Sequence, residues 1–148
     1  MEEQQPALLI GSPMCTLFSK MQALNSKHWD PLEFQKALKA AKEHLKFCLE
    51  LYRLQIAGGR YFLHEHPSSA SSWNLPEMIS FIAQFDVDTV VGDMCAHGMV
   101  LEGRPVRKST RWLSNCPALL QALGKQCTNN GTFVLSTELV IQIQRLQT

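Results

Sequence analysis

Long apolar runs are missing from this sequence: nothing in its 148 residues approaches the roughly 20 consecutive apolar positions that a membrane-spanning helix needs. Paired cysteines are missing too. The five cysteines, at 15, 48, 95, 116 and 127, are odd in number and show no CxxC spacing, which argues against both a zinc ribbon and a disulfide framework. Neither sign of charge is in excess, with a formal net charge of +1. Any attraction to nucleic acid or to an acidic surface must therefore come from a local patch. The first residues, Met1-Glu2-Glu3-Gln4-Gln5, lack the basic character of a secretory signal, and no internal repeat or low-complexity stretch is visible. These absences lead us to expect a reducing, intracellular setting, nuclear or cytoplasmic, without membrane association.

What is present begins with a stretch near the N-terminus. An ordinary apolar content of 45% over 148 residues is enough for one domain with a real core, taken here as residues 1–148. Ala7-Leu8-Leu9-Ile10 reads as a buried strand, and Gly11 with Pro13 forces a tight turn after it. Cys15 then falls in a loop at the strand's carboxyl end, the edge where ligands bind in open α/β sheets. Its alternative is a buried structural cysteine. Downstream, Asp30-Pro31-Leu32-Glu33 starts a helix, with Asp30 as cap, Pro31 at the first helical position and Glu33 reaching back. Leu38, Ala41, Leu45, Cys48, Leu49 and Tyr52 lie at helical spacing, and Gly58-Gly59 ends the helix near Ala57. Tyr61 to Leu63 is strand-like, and Pro67 closes that strand. Strand, long helix, strand is a βαβ unit, which makes the two strands parallel neighbours and brings His64-Glu65-His66 to the edge that carries Cys15.

Ser68 to Trp73 reads as a polar connection, and Asn74-Leu75-Pro76-Glu77 as a capped start of a short helix ending near Gln84. Asp88 to Asp93 is a third strand that leaves the sheet, through Gly98, at the same edge. Met99 to Ser109 reads as a basic loop, Thr110 to Asn115 as a fourth strand, and Pro117 to Leu123 as a helix stopped by Gly124. Thr137 to Leu146 has helix-like apolar spacing. The expected fold is α/β: a partial doubly wound sheet of about four strands with flanking helices.

At the converging loops the sequence resembles the catalytic half of DNA cytosine-5 methyltransferases. That family has a strand ending in Gly-x-Pro-Pro-Cys with Phe-Ser close behind, and here Gly11-Ser12-Pro13-Met14-Cys15-Thr16-Leu17-Phe18-Ser19 stands in that place. Its next hallmark is a strand ending in Glu-Asn-Val, matched by Glu65-His66-Pro67. A later Gln-x-Arg-x-Arg turn is matched loosely by Arg107-Lys108-Ser109-Thr110-Arg111. The order holds from about residue 7 to 115, and similar modules occur inside retrotransposon-type polyproteins. The resemblance implies Cys15 as the thiolate that adds to cytosine C6 and Glu65 as the carboxyl group that holds the base edge. It also implies substrate contacts from Pro13, Ser19, Arg107 and Arg111, DNA as partner, and S-adenosylmethionine as cofactor.

The departures carry equal weight. Met14 replaces the second proline, His66-Pro67 replaces Asn-Val, and no glycine-rich loop precedes Cys15. The cofactor-binding half is expected to be absent, so that a second chain or a missing N-terminal half must supply it. The strand before Cys15 should then have an open edge, and the isolated chain should dimerise or be poorly soluble. Two other readings stay open: a catalytically dead scaffold for binding nucleic acid or protein, and a Cys/His hydrolase using Cys15 with His64 or His66. His64 and His66 could also join Cys95 or His97 around a metal, although the spacing matches no known motif. Arg104, Arg107, Lys108 and Arg111 form either a solvated face or a nucleic-acid contact.

Overall fold

The computed structural model describes residues 5–19 and 29–128 and the backbone of 134–135. The expectation for Thr137 to Leu146 lies outside the described residues. Three strands, β1 (Leu8–Gly11), β2 (Tyr61–Pro67) and β3 (Asp88–Asp93), join β6 (Ser109–Ser114) in one mixed sheet of order β1-β2-β6-β3. β1 pairs parallel with β2, Gly11 standing opposite His64, while β6 runs antiparallel to both β2 and β3. β1, β2 and β3 therefore all point the same way, and the turns that follow them leave the sheet at one edge, as the βαβ reading requires.

The first helix, α1 (Pro31–Ala57), starts where the Asp30 carboxylate accepts the Leu32 amide at 2.8 Å. Glu33 does not complete a capping box here; it faces Lys36, one turn on, at 3.4 Å. The helix buries Leu45, Cys48, Leu49, Tyr52 and Gln55, spaced three or four apart as one apolar stripe requires. Gly59, at φ 67°, turns the chain out of the helix into β2. The second helix, α2 (Pro76–Gln84), contributes Met78 and Phe81 to the same side of the sheet. Tyr52 stacks on Phe62 at 4.5 Å, and Phe81 meets Phe62 edge-on at 5.7 Å. Asn74 does not cap α2. It closes a 3-10 turn, Ser71–Asn74, in which Ser72 and Trp73 are buried, so the polar connection is part of the core.

The third helix, α3 (Pro117–Leu123), packs on β3 and β6 against the face that carries Val90 and Gly92. There the chain leaving α3 passes directly over Gly92: a Cβ at that position would collide with the Leu123 carbonyl, and one at Gly124 would collide with Val90. Asp93 donates its amide to the Lys125 carbonyl at 2.8 Å, so the outer side of β3 has a partner. At the opposite margin, β1 pairs only with β2 among the described residues, with Ile10 63% exposed.

The basic stretch read as a loop is a hairpin. β4 (Val100–Leu101) and β5 (Arg104–Arg107) pair antiparallel around Glu102 and Gly103, which have φ of 48° and 74°. Two left-handed residues make the tight turn that suits a two-residue hairpin. β5 also pairs parallel with β7 (Val134–Leu135), and Val106 of β5 is fully buried.

Gly11 is where packing leaves room for no other residue. A Cβ there would sit well inside van der Waals contact with the Tyr52 hydroxyl, which is itself hydrogen-bonded to His64. Gly11→Ala should therefore cost about 3 kcal/mol, the range of core overpacking. Tyr52→Phe should recover part of that loss, giving a coupling of about 1 kcal/mol in a double-mutant cycle followed by urea unfolding. Purely additive effects would contradict this contact.

Candidate functional site

The turn after β1 is seated by two side chains of β2. Ser12 donates its hydroxyl to Glu65 Oε2 at 2.5 Å, and the Pro13 carbonyl accepts from His66 Nε2 at 2.9 Å. Because neighbouring β2 residues point to opposite faces of the sheet, Glu65 and His66 grip the turn from both sides. Pro13 is buried by this arrangement, and Cys15, half-buried, begins the 3-10 turn Thr16–Phe18. Phe18 inserts into the core beside His66, at 5.9 Å between ring centres, and its carbonyl accepts from Ser71 Oγ. Ser19 closes the turn by donating to the Thr16 carbonyl at 3.0 Å.

His64 and His66 lie on the face that packs against α1, with ring centres 4.9 Å apart. A carbonyl can only accept, so His66 Nε2 carries the proton, and its bare Nδ1 accepts from Ser72 Oγ at 2.6 Å. His64 Nδ1 pairs with the Tyr52 hydroxyl at 2.9 Å, and its Nε2 is buried without a partner. Burial, reinforced by the neighbouring His66, pushes His64 down to about 3; burial also lowers His66. Both rings are thus neutral structural groups. Each nitrogen of His66 is occupied, and His64 points to Tyr52, so the structure places neither as the base of a cysteine hydrolase. Nor are they gathered with Cys95 or His97: His97 Nε2 donates to the Leu123 carbonyl at 3.2 Å, and Cys95 interacts with Cys127. Among the described residues no group of three or more His, Cys, Asp or Glu could hold a metal ion.

The basic side of the edge comes from β5 and β6. Lys108 Nζ lies 3.6 Å from Glu65 Oε1, and its carbonyl accepts the Met94 amide at 3.0 Å, joining the turn after β3 to the same cluster. Arg107, about half exposed, reaches Asp93 Oδ2 at 3.6 Å. Arg111, opposite His66 in β6, lays its guanidinium 4.7 Å over Trp73 and donates to Thr89 Oγ1 at 3.2 Å. Among the residues expected to act, then, Pro13, Cys15 and Glu65 share one edge with Arg107, whereas Arg111 is taken up in a stack within the fold. Lys108, one of the four basic residues read as either a solvated face or a nucleic-acid contact, meets Glu65. Ser12 and Asp93 have no expected role: Ser12 lies inside the quoted motif, whereas Asp93 is fixed by pairings that no local pattern shows.

A cavity of about 220 Å³ flanks this edge between β1 and α1, lined by Leu9, Ile10, Gly11, Pro13, Phe47 and Tyr52 among others. Its walls are mostly apolar and include no carboxylate. No helix among the described residues is long and apolar enough to cross a membrane. Compared with protein-family models, curated proteins and solved structures, the chain matches none.

The two buried neutral histidines dictate an acid response. An unfolded chain takes up protons at histidine below about pH 6.5, whereas folded His64 does so only near 3, so the unfolded state binds more protons in between. Stability is complete above that window and falls as the pH drops through it, by up to about 1.4 kcal/mol per pH unit for each histidine. Urea midpoints at pH 7.5 and pH 5 should differ accordingly, and His64→Gln should flatten the dependence by about one proton. Equal midpoints would mean that the rings are not held neutral.

Proposed function

We propose that the chain is a partial or degenerate DNA cytosine-5 methyltransferase-like module, a segment of a doubly wound sheet whose Cys15–Glu65 edge holds a nucleic-acid base and which transfers no methyl group by itself. The observation that carries this reading is the hydrogen bond from Ser12 to Glu65. It ties the cysteine turn to the glutamate at the carboxyl ends of two parallel strands, the edge that α/β sheets use for ligands. On this reading Cys15 Sγ is the group positioned to add to C6 of an extruded cytosine, and the Glu65 carboxyl group holds the base edge. Pro13 fixes the turn through its carbonyl, Ser19 closes it, and Arg107 and Lys108 supply positive charge for the phosphate backbone. Arg111 would have to leave Trp73 to join them.

The cofactor that the resemblance implies does not fit the described residues. Gly11, at the end of β1, has its free side filled by the Tyr52 hydroxyl, and the cavity beside β1 offers no acid to hold a ribose. Methyl transfer would need strands supplied beside β1 by another segment or a second chain. A scaffold that only binds is favoured by one specific observation: Glu65 already has Ser12 on one oxygen and Lys108 near the other, so a base must displace Lys108 to reach it.

A duplex carrying a mispaired fluorinated cytosine separates these readings. The chain should bind it in a cytosine-dependent way, with about tenfold loss on Glu65→Gln, the worth of one charge-assisted hydrogen bond, and with no covalent adduct when S-adenosylmethionine is added. Equal binding by Glu65→Gln would remove the base-holding role. An adduct through Cys15 would overturn the statement that the chain alone is silent.

A further inference from the structure

The end of β3 holds a second pair of reactive groups, independent of the reading above. The chain leaving α3 is laid along the outer side of β3 by three separate contacts. The Leu123 carbonyl accepts from His97, the Lys125 carbonyl accepts the Asp93 amide, and the Cys127 amide donates to Asp93 Oδ2 at 3.0 Å. Gly92 permits this close passage, since any side chain there would strike the Leu123 carbonyl. Cys95 and His97 belong to one 3-10 turn, Met94–His97, so fixing His97 against Leu123 and Asp93 against Lys125 brings Cys95 alongside Cys127. Both thiols are free and partly exposed, and they interact directly.

We propose that Cys95 and Cys127 form a reversible disulfide that staples the segment after α3 to the turn after β3, with a low-molecular-weight disulfide as oxidant. Burial, and then the contact with Cys127, push the Cys95 thiol up, and we assign the first attack to Cys127, the thiol on the segment that leaves α3. The Cys127 thiolate attacks one sulfur of the small disulfide and expels one small thiol. Cys95 then gives up its proton to solvent and attacks the Cys127 sulfur of the mixed disulfide, expelling the second. The protein loses two hydrogens and two electrons, and the small disulfide is reduced to two thiols. The bond would tighten a junction that already includes Asp93 and, through the Met94 amide, Lys108 beside Glu65.

The test treats the full chain with oxidised or reduced glutathione and reads intact mass, the linked peptides, and hydrogen exchange over 123–128. The expected result is loss of two hydrogens, a Cys95–Cys127 cross-linked peptide, full reversal by reduced glutathione, and at least tenfold slower exchange in that segment. Cys95→Ser should instead trap one glutathione on Cys127, with the circular dichroism and melting of the reduced parent serving as the fold control. A stable glutathione adduct on Cys127 in the parent chain, a bond from Cys127 to Cys116, or no reaction at Cys127 would each overturn the proposal.

Discussion

The hydrogen bond from His66 Nε2 to the Pro13 carbonyl is the contact on which the rest of this edge depends. It reaches from β2 to the turn after β1, while the other nitrogen of the same ring reaches Ser72 in the connection after β2. One imidazole thus holds two loops at fixed spacing, and burial favours its neutral form, in which Ser72 is the donor to Nδ1. Unsatisfied, the Pro13 carbonyl and Ser72 hydroxyl would be buried polar groups costing about 1–3 kcal/mol each. The aromatic packing around it, Phe18 on one side and Trp73 on the other, keeps water away from the bond.

Much of the fold could be read from the chain because its signals are local. Asp30-Pro31 and Gly58-Gly59 bracket α1, and a single apolar stripe fills the space between them. A helix of that length between two short strands leaves little choice but a parallel pair, as β1 and β2 are. The failures share a different cause. The hairpin of β4 and β5 is rich in Arg, Glu, Gly and Pro, residues that read as loop until the left-handed pair Glu102-Gly103 is seen to bend the chain back on itself. Ser72 and Trp73 look like surface because a polar stretch is buried only once the chain has folded back on the end of β2, where His66 and Pro67 take their polar atoms.

The edge itself was legible in its location but not in its wiring. Residue order alone places Cys15 and Glu65 at neighbouring strand ends. It does not say that His64 and His66 face inward as neutral core groups, because alternation in a strand assigns faces without saying which face is dry. Nor does it separate Lys108, just before β6, whose ammonium meets Glu65, from Arg111 within β6, whose guanidinium lies on Trp73. Charge density in that basic stretch was visible, and its division between site and scaffold was not.

The passage of the chain over Gly92 has a consequence for assembly. Filaments built by sheet extension need two open margins on every copy, one to give and one to receive. The β3 margin is occupied where the Lys125 carbonyl takes the Asp93 amide, while β1 keeps an unpaired side among the described residues. Joining two copies through β1 about a two-fold axis would use that margin of the four-stranded sheet on both, so among the described residues this sheet favours closed pairing over open extension.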